Sequence, residues 1–354
     1  MIIDKELEVF FRKKFENKKI MLISDTCDEQ INGVVTTIKM IKKYLNNLNI
    51  DYIFVDTDDF INISLPFYKE VKLAINPRKI YHIIEKEKPS FIHIFTEGPL
   101  GYYASKFCKK NKLKYTTSYH TNWPVYSKLF FPFNLLNLEE KIYSYLKKIH
   151  NSSEVVLVTN KGMKNLLASK NFSNLKEWLR EVDGEIFNIN KKNSLLFQNL
   201  EKPVMLYVGR LSKEKNIEEF LRLYDNGTKV IVGDGPQKKF LEKKYPDAIF
   251  LGKKSNEELA EIYASADVFV FPSRSETFGV VLIESIACGT PVASVPEIAQ
   301  REIIIPNING FMHDDLSYAI KRALMIDRSK VFESSKKWTK NKFIEIFLNS
   351  LVEN

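Results

Sequence analysis

The chain alternates short, strongly apolar segments with longer segments whose apolar residues recur at helical spacing. Continuous runs of β-branched and aromatic residues are typical of strands buried on both faces, as in parallel sheets joined by crossover helices. One such series occurs in each half of the chain, so we expect an α/β fold of two domains. The predicted strands are Lys19–Ser24, Tyr52–Val55, Phe91–Phe95, Tyr115–Tyr119 and Val155–Val158 in the first series, and Val204–Val208, Lys229–Val232, Ala248–Leu251, Val268–Phe271 and Pro291–Ser294 in the second.

The segment between the two series, Asn188–Lys202, is rich in Asn and Lys and lacks a clear period. Such a composition is typical of a linker or hinge, and 354 residues suffice for two domains. We therefore place an N-terminal domain at residues 1–190, which includes an N-terminal helical extension, and a C-terminal domain at residues 191–354. The last helix is expected to pack back on the first domain.

The net charge of +9 is concentrated in residues 101–180, which hold 14 basic but only 4 acidic side chains. Such a region attracts nucleic acid, anionic lipid headgroups or acidic small molecules, and a solvated basic surface is equally consistent with it. No RNP, zinc or helix-turn-helix signature supports nucleic acid. The longest apolar runs fall far short of the roughly 20 residues of a membrane span, and the first residues lack a signal-peptide core. We expect a cytoplasmic protein.

Two glutamates separated by seven residues, Glu276 and Glu284, follow a predicted strand of the second series. Ligands of open parallel sheets bind beyond the carboxyl ends of the strands, so such loops are the first places to search for a site. If a helix begins near Phe278, its N-terminus offers N–H groups to a diphosphate beside Thr277 and Gly279. The two carboxylates can accept hydrogen bonds from ribose or sugar hydroxyls. The alternative is a solvated loop carboxylate and a surface helical carboxylate.

Glycine-rich turns follow two other strands of the second series. Gly209 permits a tight turn, and Arg210 with Lys215 can clamp phosphate oxygens, the first as a fork and the second as a point charge. Gly233 and Gly235 let the backbone approach a ligand closely. Strand, glycine and cations together predict a phosphate site.

Loops of the first series also carry candidates. Asn32 and Gly33 follow the first strand and open a helix, which places N–H groups where a phosphate can rest. Neither a GxGxxG nor a GxxxxGK[ST] pattern occurs, which argues against NAD and P-loop sites. Glu97 and Gly98 follow the third strand, and His120 ends the next, either as a functional group or as a satisfied structural residue. The other histidines are interpreted as structural: His82, His93, His150 and His313.

Taken together, six segments resemble the family-4 retaining glycosyltransferases of the GT-B fold, and the resemblance extends from about residue 18 to the C-terminal helix. It implies two Rossmann-like domains that face each other across a deep cleft. It also implies transfer with retention of configuration, without a metal or other cofactor. The segments are NGVV, TEGPLG, SYHTN, YVGRLSKEKN, VGDGP and LGKKSNEELAEIYASADVFVFPSRSETFGVVLIESIACGTPVAS.

The resemblance assigns catalytic roles to four side chains. Arg210 and Lys215 are implied to hold the donor diphosphate, Glu276 to touch the transferred sugar, and His120 to meet sugar and acceptor.

Further positions are implied to bind the substrate. Glu284 binds ribose, Gly33 lets the first domain close over the diphosphate, and the backbone near Gly252 and Lys253 meets the nucleobase.

Within the family, TEGPLG combined with SYHTN resembles the bacterial branch that glycosylates membrane lipids such as diacylglycerol, together with GDP-mannose-dependent α-mannosyltransferases. This implies transfer of a hexosyl or hexuronosyl group from a UDP- or GDP-sugar to a lipid at the inner face of the cytoplasmic membrane. The apolar run Trp123–Leu136, with lysines on both sides along the chain, predicts contact with an anionic membrane surface, and a core segment is the alternative. The alternative acceptor is a soluble glycan or a polysaccharide precursor.

Overall fold

The computed structural model describes residues 4–27, 30, 33–65, 68–130, 137–223, 226–338 and 342–354. They form an N-terminal unit, Ile2–Leu179 with Asn341–Asn354, and a C-terminal unit, Arg180–Lys340. The chain passes between units at Leu179 and Arg180 rather than near residue 190, and Asn188–Lys202 belongs to the C-terminal unit. The physical reason is that two phenylalanines are buried in the C-terminal core: Phe187, which directly precedes this polar segment, and Phe197 within it.

The N-terminal unit is built on a six-stranded parallel sheet of strand order β2-β1-β5-β6-β7-β8. The five predicted strands of this half are confirmed to within a residue or two at their ends. The structure adds β8 at one edge and a separate antiparallel hairpin, β3–β4. The strands are β1 Ile20–Ile23, β2 Tyr52–Val55, β3 Asn62–Leu65, β4 Tyr68–Ala74, β5 Phe91–Ile94, β6 Thr116–Tyr119, β7 Val155–Val158 and β8 Leu175–Glu177. The helices that accompany them are α1 Lys5–Lys14, α2 Gly33–Asn47, α3 Lys79–Glu87, α4 Pro99–Lys110, α5 Trp123–Phe130, α6 Leu138–His150 and α7 Lys161–Ser169.

The C-terminal unit repeats the architecture with a parallel sheet of order β11-β10-β9-β12-β13-β14. Its five predicted strands are confirmed, and the edge strand β14 is added. The strands are β9 Val204–Val208, β10 Thr228–Val232, β11 Ile249–Gly252, β12 Val268–Phe271, β13 Val292–Ser294 and β14 Gly310–Met312. The helices are α8 Ile217–Leu221, α9 Lys238–Lys244, α10 Asn256–Ser265, α11 Val280–Ala287, α12 Ile298–Ile303, α13 Leu316–Ala323 and α14 Arg328–Ser334.

Alternation along β9 shows why a strand buried on both faces can be apolar throughout. Leu206 and Val208 pack into one buried cluster, whereas Met205 and Tyr207 pack into another. Successive side chains of a strand point to opposite faces, so a strand covered on both faces, such as β9, favours apolar residues at every position. β5 and β6 depart from this pattern, since His93, Thr116 and Ser118 are buried polar residues within them.

The last helix, α15 Lys342–Ser350, belongs to the N-terminal unit. Phe343 stacks on Trp178 with ring centroids 4.9 Å apart, and the Trp178 indole N–H donates to the Phe343 carbonyl at 2.9 Å. Phe347 stacks on Phe95, which directly follows β5. The end of the chain thus completes the core of the unit in which the chain begins.

Candidate active site

In the C-terminal unit, the turns after β9 and β10 lie against each other. β9 has β10 on one side and β12 on the other, so chain order reverses there, and ligands of open α/β sheets bind beyond such a switch point. Gly233 has φ +134°, and a Cβ on it would lie 1.9 Å from the carbonyl oxygen of Gly209. Only glycine permits this approach. The predicted Gly235 lies in the same turn, where a Cβ would come 2.5 Å from the Leu211 carbonyl oxygen.

An ion pair joins two of the predicted catalytic residues. The Lys215 ammonium, in the short 3-10 turn after β9, contacts the Glu276 carboxylate, in the loop between β12 and α11. Each side chain is 17% exposed, so the pair is shielded but open to a ligand. The Ser275 hydroxyl donates to the carbonyl of Glu214 at 3.2 Å and ties the two loops together. The structure therefore unites a cation and a carboxylate that lie far apart in sequence.

Arg210 lies in the segment after β9 that also carries Lys215. Its side chain is partly buried, and its carbonyl accepts a hydrogen bond from the Tyr207 hydroxyl at 3.2 Å. Lys213, also in the turn, is exposed. The turn therefore presents one solvated cation and two partly shielded ones.

The helix after Glu276 begins later than its sequence predicts. α11 begins at Val280 rather than near Phe278, since Phe278 is 5% exposed and packs into the core. The chain turns into the helix through Gly279 at φ +81°, while Thr277 stays partly exposed in the loop. Glu284 accordingly lies little more than one turn inside the helix.

Glu284 is held by a neighbouring helix. Its carboxylate accepts a hydrogen bond from the Tyr263 hydroxyl of α10 at 3.2 Å. Burial raises the pKa of Glu284 to about 7. Near neutral pH this carboxyl can therefore donate as well as accept hydrogen bonds, as a diol such as ribose requires.

The predicted nucleobase segment ends β11. Gly252 has φ +68°, and its carbonyl accepts the N–H of Gly233 at 2.9 Å, which links this segment to the glycine turns. The Lys253 side chain is exposed.

In the N-terminal unit, His120 follows β6 and is 9% exposed. Its Nε2 lies 2.8 Å from the Ser118 hydroxyl oxygen, and its ring packs against those of Phe95 and Trp178. Ser118 in turn lies 3.2 Å from Nε2 of His93. His93, interpreted from sequence as structural, is thus connected to a predicted catalytic residue.

Glu97 is buried, and both its carboxylate oxygens have partners. Oε2 accepts from the indole N–H of Trp123 at 3.1 Å, and Oε1 lies 3.2 Å from Nε2 of His150. His150 was also interpreted as structural. The Glu97 side chain therefore ties the loop after β5 to the start of α5 and the end of α6, and contact with a ligand would require it to exchange one of these partners.

Asp25, which the sequence analysis missed, explains Gly98. It follows β1, and its carboxylate accepts the Thr96 hydroxyl at 2.8 Å and the Leu100 N–H, in the first turn of α4, at 2.7 Å. A Cβ on Gly98 would lie 2.5 Å from Cγ of Asp25. Burial raises the pKa of Asp25. An acidic residue directly after a buried strand was the signal available in the sequence.

Gly33 begins α2, as predicted, and no atom of the described residues lies within 4 Å of where a Cβ on it would be. This leaves room for close approach of a ligand. Asn32 lies outside the described residues.

The lysines around the predicted membrane segment are divided between two edges of the sheet. Trp123, 44% exposed, follows β6 at the carboxyl edge, whereas Lys109 and Lys110 end α4 and Lys114 precedes β6 at the amino edge. α4 runs antiparallel to the strands, so Lys109 and Lys110 lie at the opposite edge of the sheet from Trp123. Residues 131–136 lie outside the described part of the chain. No described helix is both long and apolar enough to span a bilayer.

The comparisons with known proteins identify the class. Glycosyl transferases group 1 matches residues 189–342, and Glycosyltransferase Family 4 matches residues 31–176. The sucrose-phosphate synthase structure from Thermosynechococcus elongatus aligns with a TM-score of 0.73 and 19% identity over 94% of this chain and 97% of that one. The fold is therefore GT-B, and the protein is a glycosyltransferase that uses nucleotide sugars. The chain belongs to glycosyltransferase family 4.

Relatives within the family differ in their named reactions. Sulfoquinovosyl transferase SQD2 of Arabidopsis thaliana is 33% identical over 69% of this chain and 49% of its own length, so the match spans about half of that relative. The GDP-mannose-dependent alpha-mannosyltransferase of Corynebacterium glutamicum is 24% identical over 85% of this chain and 78% of its own. The alpha-monoglucosyldiacylglycerol synthase of Streptococcus pneumoniae is 26% identical over 95% of this chain and 87% of its own.

Proposed function

We propose that the protein transfers a hexosyl or hexuronosyl group from a UDP- or GDP-sugar to a membrane lipid, with retention of anomeric configuration. The observation that carries the donor half of this proposal is the Lys215–Glu276 ion pair beside the glycine turns. It combines a cation for phosphate with a carboxylate for sugar hydroxyls at a switch point of the sheet.

The C-terminal unit binds the donor in this proposal. A diphosphate competes with Glu276 for Lys215, and the partly buried Arg210 adds a bidentate contact. The glycine turns let backbone N–H groups approach the phosphates, and the N-terminus of α11 adds its partial positive charge. Glu284, whose pKa is about 7, binds the ribose hydroxyls.

Binding of the diphosphate changes the state of Glu276. Once Lys215 turns to phosphate oxygens, the Glu276 carboxylate becomes available to accept hydrogen bonds from the transferred sugar. When the donor binds, Lys215 thus exchanges Glu276 for the diphosphate, and Glu276 exchanges Lys215 for the sugar. Recognition of the sugar is therefore coupled to binding of the diphosphate.

The transfer itself is a front-face displacement. The bond between the anomeric carbon and the diphosphate oxygen breaks, the acceptor hydroxyl attacks from the same face, and its proton passes to the leaving diphosphate. Arg210, Lys215 and the α11 N-terminus stabilise the charge that develops on the diphosphate, so no protein nucleophile is needed.

The same cations supply the charge for which other transferases use a metal ion. Activity should therefore persist in EDTA. A loss of activity that is restored only by adding a divalent ion would contradict this part of the proposal.

The N-terminal unit meets the acceptor in this proposal, through His120. The name of the Streptococcus pneumoniae relative, a diacylglycerol glycoside synthase, and the exposed Trp123 at the sheet edge of His120 support a lipid acceptor and peripheral membrane association. A soluble glycan precursor is the second candidate acceptor. The name of the Corynebacterium glutamicum relative, an α-mannosyltransferase, favours GDP-mannose as donor in that case.

A transfer assay separates these possibilities. Purified protein is incubated with radiolabelled UDP-glucose, UDP-galactose, UDP-glucuronic acid or GDP-mannose, each with and without diacylglycerol vesicles. Label that appears in a lipid product with one of the donors supports the proposal. Lipid that stays unlabelled with every donor contradicts the lipid acceptor.

A further inference from the structure

A continuous chain of side-chain hydrogen bonds in the N-terminal unit leads to His120. The Thr116 hydroxyl oxygen lies 2.8 Å from Nδ1 of His93, and Nε2 of His93 lies 3.2 Å from the Ser118 hydroxyl oxygen. The same Ser118 oxygen lies 2.8 Å from Nε2 of His120. Four side chains thus form one line in which every link is within hydrogen-bond distance.

The strand register brings this line together. His93 on β5 is the register partner of Thr116 on β6. Thr116 and Ser118 are two residues apart on the same strand, so their side chains point to the same face of the sheet, toward His93. His120 continues the line where β6 ends.

The line is enclosed by protein. His93 is 0% exposed, and Thr116 and Ser118 are each 1% exposed. The Phe95 ring packs edge-on against His93 at 4.5 Å between centroids, and Phe347 of α15 does so at 5.0 Å. In such surroundings an unsatisfied polar group is costly, so the members of the line hold one another in place.

The hydrogen bonds of the line also constrain which nitrogen of each histidine carries the proton. Each hydroxyl has a single proton, and a neutral imidazole has one N–H and one acceptor nitrogen. If His93 carries its proton on Nδ1, its Nε2 accepts from Ser118, and the Ser118 oxygen then accepts the Nε2–H of His120. If the His93 proton is on Nε2, Ser118 accepts it and donates to Nε2 of His120, which must then lack a proton.

We propose that His93 is a positioning residue that sets the tautomer and ring orientation of His120 through Ser118. The relevance of this to catalysis rests on the proposed role of His120 at the acceptor, but the effect on the tautomer does not. His93 touches no substrate in this account. It determines which His120 nitrogen carries the proton.

The test reads the tautomer directly, by long-range ¹H–¹⁵N NMR of uniformly labelled protein. The chain has five histidines, and His120→Gln identifies the His120 signals by their loss. Wild-type His120 is expected to show one dominant neutral tautomer. In Ser118→Ala and His93→Phe we expect a mixture of both tautomers, and in His93→Gln, which keeps a polar partner for Ser118, a return toward the wild-type ratio.

Tyr115→Phe is the matched control. It removes another buried hydroxyl next to β6, which donates to the Ile149 carbonyl at 2.7 Å and has no bond to the line. It should leave the His120 signals unchanged. A single, wild-type His120 tautomer in both folded Ser118→Ala and folded His93→Phe overturns the proposal, and Ser118→Ala alone decides if His93→Phe does not fold.

The consequence for catalysis is then measured by steady-state kinetics, with the donor and acceptor that the transfer assay identifies. We expect His93→Phe to lower kcat about tenfold with little change in the donor KM, and His93→Gln to recover most of the loss. Wild-type protein without transferase activity would contradict the proposed function, while the NMR result would still decide the role of His93. An unchanged kcat together with a disturbed tautomer would overturn the link to catalysis.

Discussion

The side chains of Lys215 and Glu276 form an ion pair between residues 61 positions apart, and each is shielded from water to the same degree. In this pair, the cation proposed for the diphosphate and the carboxylate proposed for the sugar neutralise each other. Donor binding must therefore replace one partly desolvated charge pair with another, and variants of the two residues should have opposite effects on diphosphate affinity.

Removal of the cations should cripple transfer. We expect Arg210→Ala and Lys215→Ala each to lose about 2 to 4 kcal/mol of transition-state stabilisation, since each removes a charge from the leaving diphosphate. Steady-state kcat/KM of the soluble variants measures this. Lys213→Ala, in the same turn but exposed, is the matched control and should stay near wild type. Near-normal turnover in both test variants would refute the assignment of this turn.

Neutralisation of the Glu276 carboxylate should have different effects on diphosphate binding and on turnover. In Glu276→Gln, Lys215 loses its ion pair with Glu276, so a nucleoside diphosphate without sugar should bind as tightly as in wild type or more tightly. Turnover of the sugar nucleotide should fall, since the amide accepts sugar hydrogen bonds less strongly than a carboxylate. Calorimetric titration with UDP and GDP, beside kinetics, gives both quantities. If Glu276→Gln loses affinity for UDP and GDP as well as turnover, the proposed exchange of partners by Lys215 and Glu276 is contradicted.

The raised pKa of Glu284 should make the stability of the C-terminal unit depend on pH. The folded chain holds this proton to about pH 7, while the unfolded chain releases it near 4.5, so the folded state binds more protons between these values. The free energy of unfolding should therefore fall as pH rises through that window, by at most ~3 kcal/mol. Glu284→Gln should reduce this slope in urea titrations at several pH values. An identical slope in wild type and variant would show that Glu284 titrates normally.

The strands were predictable because burial on both faces leaves a continuous apolar run, as in Val268–Phe271. The edge strand Leu175–Glu177 was missed because its Leu-Lys-Glu sequence carries no such run, and α11 begins late because Phe278 packs into the core. The candidate loops were also predictable, since they follow strands. The contact between the loops after β9 and β12 was not predictable, because these two strands become neighbours only through the order of strands in the sheet.

The roles of His93 and Asp25 could not be predicted from the sequence. A lone polar residue within or just after an apolar strand gives no indication of its partner. Their hydrogen bonds depend on strand register and on the turn into α4, which local sequence does not encode.

Membrane binding should depend on the carboxyl edge of the N-terminal sheet. We expect the protein to sediment with anionic but not zwitterionic vesicles, to lose this binding as salt rises, and to bind more weakly after Phe130→Ser with Phe131→Ser, whose side chains lie outside the described residues. Lys141→Gln, in the first turn of α6 at that edge, should weaken binding about fivefold.

Lys148→Gln, in the last turn of the same helix, is the matched control. It lies about 10 Å along the axis from Lys141, more than the Debye length of about 8 Å at physiological salt, and should have little effect. Equal partitioning to both vesicle types would contradict an electrostatic docking surface.

The stereochemistry of the product tests the central claim most directly. The donor that gives a labelled product is supplied in its α-linked form, the glycoside is purified, and its anomeric configuration is read from the coupling of the anomeric proton in the NMR spectrum. A front-face displacement assisted by the diphosphate that Arg210 and Lys215 hold predicts an α-glycoside. A β-glycoside would contradict the account, because inversion requires attack from the opposite face and a protein base to take the acceptor proton.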